Sequence, residues 1–348
     1  VNTVWILLLA SVSTCWLQAA FAEQATTQYT IEDKGLSLVR QLTDTPGLNN
    51  QGDFAIWHEV SASSMPALIF HGDHSLTING TQDYSLVYPA DLNDRLTVVG
   101  TLQQPQDLRF TQAFVWSNDH LQILPTLGGR YAVASAINAA GDIAGNAQTP
   151  TGARHAVLWH QNQVRDLGLL AAGDYSSAHD INDRNNIAGE ANVTPNGKPQ
   201  AFFWHAGSMQ ILPNLTGGHV CSAQAINHAN TIVGSCDQEH GIAHAVRWQH
   251  GAIQDLGSLG EEDAPVTALD INDYDQVVGS ASLDDKLRAF LWDRGKMQDL
   301  NKNLPPHSGW LLLVASRINN QGVIVGRGYY QGYIHAFLMR PVPSLDKK

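Results

Sequence analysis

The chain has 348 residues, a net charge of −12 and only 20 Lys plus Arg. Phosphate backbones and anionic membrane surfaces are held by clustered Lys or Arg. No basic run occurs anywhere, so nucleic acid and an anionic membrane surface are not expected partners.

Residues 4–22 are nearly all apolar or small, carry no charge and end Ala20-Phe21-Ala22 before Glu23. They read as a secretory signal cleaved after Ala22, with a retained N-terminal anchor as the alternative. The expected product is exported, periplasmic or secreted, with no membrane insertion after cleavage. The expected partition is 1–22 signal, 23–341 a single repeat domain and 342–348 a polar tail.

One sentence then recurs about every 45 residues, the mark of a repeat architecture. Each copy opens on an apolar residue plus Asn, at Asn49, Asn93, Asn138, Asn182, Asn227, Asn272 and Asn319. Three residues on stand Gly52, Leu96, Gly141, Asn185, Asn230, Asp275 and Gly322. All but Leu96 are types that tolerate positive φ, as a hairpin turn requires. Seven residues on, every copy but the first has Gly; Ile56 breaks the rule. A strand Gly marks a bulge or a close backbone approach, here expected where neighbouring blades crowd.

A middle phrase follows, such as Gln112-Ala113-Phe114-Val115-Trp116 or His244-Ala245-Val246-Arg247-Trp248. Each copy therefore predicts four short strands. In the third these are 132–138, 142–147, 155–160 and 163–167. Both strand faces are apolar, so the units must stack on each other. Seven four-stranded units predict an all-β, seven-bladed β-propeller, with a superhelical β-solenoid as the alternative. The last copy reaches Pro341 without a fourth strand. Tyr29–Gly35 resembles the fourth-strand phrase Ile253–Gly257, so an N-terminal strand should complete the last blade and close the ring. Closed edges favour a monomer.

These phrases resemble the HAF family of extracellular repeat proteins. His335-Ala336-Phe337 carries the family's signature, and Arg317–Gly326 and Asp255–Gly260 match its companion phrases. The resemblance covers nearly all of residues 29–340 and is weakest in the first copy, where Pro66–Phe70 lacks the Trp. It implies export and a propeller-like fold. It brings no established activity and no catalytic residues. The recurring Gly-His and Trp-Asp marks of WD40 blades are absent: Gly218-His219 and Trp292-Asp293 occur once each, in different copies.

Cys221 and Cys236 remain after cleavage, an even pair in an exported chain. With a four-residue loop at 227–230, they face each other across a hairpin, so a disulfide is expected. Asp270-Ile-Asn272-Asp273-Tyr-Asp275 has the look of a calcium loop. Asp275 is equally explained by turn geometry, and the distal Glu is missing, so no metal is expected. His155, His244 and His335 recur in register in separate blades, which suits a bond between strands rather than one coordination sphere. The register Trp residues, Trp116 to Trp292, read as packing between blades.

Function in such a ring belongs to its loops. The loops from fourth to first strand and from second to third strand share one face. Candidate ligand contacts there are Tyr329, Tyr330, Tyr333, Trp310 and His307. Arg130, Tyr131, Tyr175, Glu262 and Asp284 complete the set. No Gly-x-Ser-x-Gly elbow, His-Glu-x-x-His or phosphate loop is present, and no cofactor or catalytic residue is expected. The leading expectation is a binding module for an unknown protein or carbohydrate. A structural envelope or matrix protein is second. A hydrolase or lyase at the central channel, using Glu261, Glu262, Asp284, Asp285 and nearby His, is third.

Overall fold

The computed structural model describes residues 27–36, 47–58, 60–61, 63–239, 241–260 and 264–342. The expected signal segment lies outside these residues, as does the tail beyond Val342.

Seven four-stranded antiparallel sheets form a ring, the seven-bladed β-propeller that the repeat implies. In the third blade the strands are Ala132–Ile137, Ile143–Gln148, Arg154–His160 and Gln163–Gly168. They differ from the sequence expectation by one residue at several ends.

Blades bind one another by setting large residues against small ones. Val157 and Trp159 of the third blade pack on Val99 and Ala113 of the second. Val246 and Trp248 of the fifth pack on Ala188 and Ala201 of the fourth. The register Trp residues are at most 5% exposed. A fully buried side chain of this size contributes about 1.5–3 kcal/mol or more. Each blade thus finds its core only in its neighbour.

Strand β1 (Tyr29–Leu36) pairs with Tyr333–Pro341 and completes the last blade. Its side chains repeat the fourth-strand chemistry. His335 Nδ1 lies 2.8 Å from Asp33, as His155 lies 2.8 Å from Asp166 and His244 3.0 Å from Asp255. Each of these Asp side chains also accepts the N–H of a Gly two residues on, at Gly35, Gly168 and Gly257. The recurring His is therefore a tie between third and fourth strands. Phe54 of the first blade packs with Val323, Val325 and Leu338 of the last, across the seam.

All seven turn positions have positive φ, including Leu96 at 56°. A left-handed Leu costs roughly 1–2 kcal/mol; here its side chain packs against the core between the first two blades, which offsets that strain. The recurrent Gly has a different cause from the one expected. A Cβ at Gly145 would sit 2.0 Å from the Val133 carbonyl oxygen of its own blade's first strand. The crowding comes from within the blade, where a bulge at Ser135 shifts the register between Ala134 and Ala136. The first blade, with Ile56 at this place, has no such shift in its short first pair.

Cys221 and Cys236 form a disulfide. The expected pairing is reached through two compensating shifts. Asn227 donates to the Thr231 carbonyl, so Ile226 pairs with Ile232 rather than Thr231. The bulge at Gln224 then restores the register, and Cys221 faces Cys236.

Candidate functional site

A channel runs along the ring axis and is built by the first strand of every blade. At one end lie the Asn turns. Each repeat Asn uses its Oδ1 to accept backbone N–H groups of its own turn, as Asn227 does from Ala229 and Thr231. Its Nδ2 donates to the carbonyl of the next repeat Asn. The chain of bonds runs from Asn49 through every blade to Asn319 and returns to Asn49, each at 2.9–3.3 Å. Asp94, Asp183 and Asp273 stand at this mouth and accept backbone N–H groups of the preceding blade.

Two residues before each repeat Asn, the chain places Gly47, Asp91, Ala136, Asp180, Ala225, Asp270 and Arg317. Small and acidic residues alternate until the seventh blade, where an odd ring cannot continue the pattern. Each Asp accepts a backbone N–H of the next blade, from Ile137, Ile226 and Ile318 at 2.7–3.0 Å. Arg317 is their shared counter-charge. Burial pushes Asp91 up to about 6 and Asp270 up to about 7, and raises Asp180, although Arg317 pulls each the other way. Burial also disfavours the Arg317 cation, but the three carboxylates outweigh it and hold its pKa above the ordinary value. Arg317 separates a cavity of about 210 Å³ at the turn end from one of about 430 Å³ at the loop end. The larger one is lined by the bulge residues Ala90, Ser135, His179, Gln224 and Leu269. This layer is not among the residues that the repeat pattern singles out. Its signal was present as a column two places before the repeat Asn, readable only once the bulge is known to turn that column inward.

On the loop face, Arg130, Tyr131 and Tyr175 come together, and Arg154 joins them. The Arg154 guanidinium lies 4.1 Å from the Tyr131 ring centre, and Arg130 lies 5.6 Å from that of Phe110. Arg154 also pairs with Tyr175 through a backbone bridge. Tyr175 Oη donates to Glu190 at 3.0 Å. Burial first, and then the Glu190 charge, push this phenol up to about 12, so it stays a donor. Arg109, Phe110, Arg130, Tyr131, Gln148 and Arg154 line one groove of about 640 Å³. Pockets for small ligands span roughly 300–1,000 Å³.

The other candidates are placed differently. Trp310 is half-buried, stacked on Tyr330 at 4.8 Å, with His335 edge-on at 6.1 Å. Tyr330 is cross-strand to Tyr333, whereas Tyr329 is cross-strand to Ile334 and so points to the opposite sheet face. The three tyrosines are not one patch; Tyr333 is 67% and Tyr329 45% exposed on separate sides. Asp284 and Asp285 are a two-residue turn with φ of 50° and 57°, which accounts for their residue type. His307 is likewise a left-handed turn residue. Glu262, with Glu261 and His240, lies outside the described residues. Among the described residues, no group of three or more His, Cys, Asp or Glu is disposed to hold a metal ion.

No family pattern and no curated protein matches the chain by sequence. Solved structures do match in fold. The β-propeller domain of the trilobed protease from Pyrococcus furiosus aligns with a TM-score of 0.56 at 8% identity, over 92% of this chain and 100% of that one. A puromycin-hydrolysing peptidase from Mycobacterium tuberculosis aligns at 0.55 and 11% identity over 86% of this chain. Pyrococcus horikoshii acylaminoacyl peptidase aligns at 0.52 and 12% identity over 87%. The chain spans 52% and 53% of the length of those two peptidases. Such identities establish a shared fold. The Pyrococcus furiosus domain has an open velcro topology; here β1 closes the last blade.

Proposed function

We propose that this protein is an exported β-propeller, of HAF-repeat type, that binds a protein or glycan through its loop face. The observation that carries the reading is the convergence of Arg130, Tyr131, Arg154 and Tyr175 from the seams of two blades. The ring does not need these residues. At the position of Arg154, other blades have Thr111, Pro199, Ala243, Leu287 and Ile334. Arg130 corresponds to Ser85, Asp174, His219 and Ala264. Strands committed to packing leave recognition to such irregular positions. The disulfide accords with an oxidising compartment, and no described helix is long and apolar enough to cross a membrane. The channel acids are held by backbone N–H groups and Arg317, an arrangement that suits ring closure better than catalysis.

The test is retention of envelope and culture-medium polysaccharides and proteins on the immobilised chain. An R130A/R154A variant changes the loop face, and R184A/R294A changes the opposite one. Loss of a retained component only in the first variant supports the reading. Loss only in the second variant, or equal retention by the parent, both variants and a W310A/Y333A variant, contradicts it.

A further inference from the structure

The loop-face reading leaves the ligand open, and the groove between the second and third blades narrows it. We infer that this groove is a binding site for an acidic saccharide, its carboxylates held by Arg130 and Arg154 and its sugar rings resting beside Phe110 and Tyr131. The inference rests on the loop-face reading and adds a ligand class to it.

Charge is the first argument. The protein is strongly acidic, yet no Asp or Glu lines this groove. Arg109 is matched by Asp107 at its rim, through two bonds of 2.8 and 2.7 Å. Arg130 and Arg154 are in no ion pair among the described residues; their partners are aromatic faces. Two guanidinium groups therefore stand available for oxyanions, which they take in bidentate fashion.

Positioning is the second. Arg130 sits on a backbone tied at both sides: its N–H donates to Gln148 Oε1, and its carbonyl accepts from Gln112 Nε2, each at 3.2 Å. The Tyr131 carbonyl accepts the Gln148 N–H at 2.8 Å. Arg154 is fixed between Gln148 across the hairpin and Tyr175 of the next blade. These anchors hold the arginines without consuming their guanidinium groups.

Shape is the third. The groove is open and mixes aromatic rings, an amide and guanidinium groups. Protein partners anchor side chains in fully desolvated pockets. A pyranose instead presents a C–H face for an aromatic ring and hydroxyls for polar neighbours, and a uronic acid adds the carboxylate. The axial cavity does not compete for such an anion, because Arg317 is outnumbered there by Asp91, Asp180 and Asp270.

Titration calorimetry of the whole protein with trigalacturonate tests the site. The comparison ligands are its methyl ester, a sulfated disaccharide and tetra-aspartate. Trigalacturonate should bind, with affinity falling as salt is raised. Its ester, neutral but of the same ring shape, should bind on the order of tenfold or more weaker. R130A/R154A should lose affinity by at least about the same factor, with unchanged circular dichroism. Binding of the sulfated disaccharide with the same arginine dependence would extend the site to sulfate as the oxyanion. Equal binding of acid and ester, undiminished binding by R130A/R154A, or arginine-dependent binding of tetra-aspartate alone would overturn the inference. If a retained ligand depends on Trp310 or Tyr333 and not on the arginines, this site fails while the loop-face reading stands. If no loop-face change affects any ligand, both fail.

Discussion

The repeat residue is Asn because the position needs an acceptor and a donor on one short side chain. Oδ1 closes the turn within a blade, and Nδ2 reaches the carbonyl of the next. Aspartate can do only the first and would point a charge at a carbonyl. Asn227 is 4% exposed, so Asn227→Asp should lower unfolding stability by roughly 2–3 kcal/mol, read as a fall in the denaturant midpoint. An equal midpoint would mean that the closed ring of amides adds nothing. The seven Asn were plain in the sequence as a period, but their circular bonding was not. Each bond spans a whole repeat, and the last joins Asn319 to Asn49, so only the closed ring brings the partners together.

At the level of elements, the recurrent Gly and the bulge are one device. The strand-two Gly admits the first-strand carbonyl, and the extra first-strand residue turns toward the axis. Gly145→Ala would put a Cβ 2.0 Å from the Val133 carbonyl oxygen. It should cost about 3 kcal/mol or more by thermal or chemical unfolding, whereas Gly152→Ala, with only the tip of Gln148 within reach and a φ of 94°, should cost about 1 kcal/mol. Equal costs would remove the bulge argument. The Gly column was readable from sequence, and the strands of the third blade with it. What it does to Ser135 and His179 was not, because a bulge changes which residue faces inward without changing composition. The Cys221–Cys236 pair shows the same limit, since simple hairpin counting succeeds there only because the turn and the bulge shift in opposite senses. Replacing both cysteines by Ala should lower stability by about 2–3 kcal/mol, and reductant should then have no further effect on the variant.

For the whole molecule, the odd number of blades sets the electrostatics of the axis. Three acids alternate with small residues, and Arg317 fills the place where alternation fails. Because the folded pKa of Asp270 lies above its unfolded value of about 4, its protonated form favours the native state. That contribution is present at low pH and is lost as pH rises through about 7. Asp91 acts in the same sense up to about 6. The Tm of the parent should therefore fall between about pH 4 and pH 7 more steeply than that of Asp270→Asn, and parallel curves would refute the assignment. Alternate copies carry these acids, so the column is invisible to a search for what every repeat shares. Arg130 and Tyr131 were legible as loop residues that the repeat does not require. Their meeting with Arg154 and Phe110 was not, because it depends on the seam between two blades. Tyr329 shows the converse, since neighbours in sequence need not share a face.

The central claim is that recognition belongs to the loop face. Hydrogen–deuterium exchange of the protein with and without a retained ligand tests it directly. The account predicts slowed exchange at 106–112, 128–131 and 152–156, with none at the opposite turns around 118–119, 161–162 and 206–207. Protection confined to those opposite turns, or to the Asn ring at the channel mouth, would contradict it.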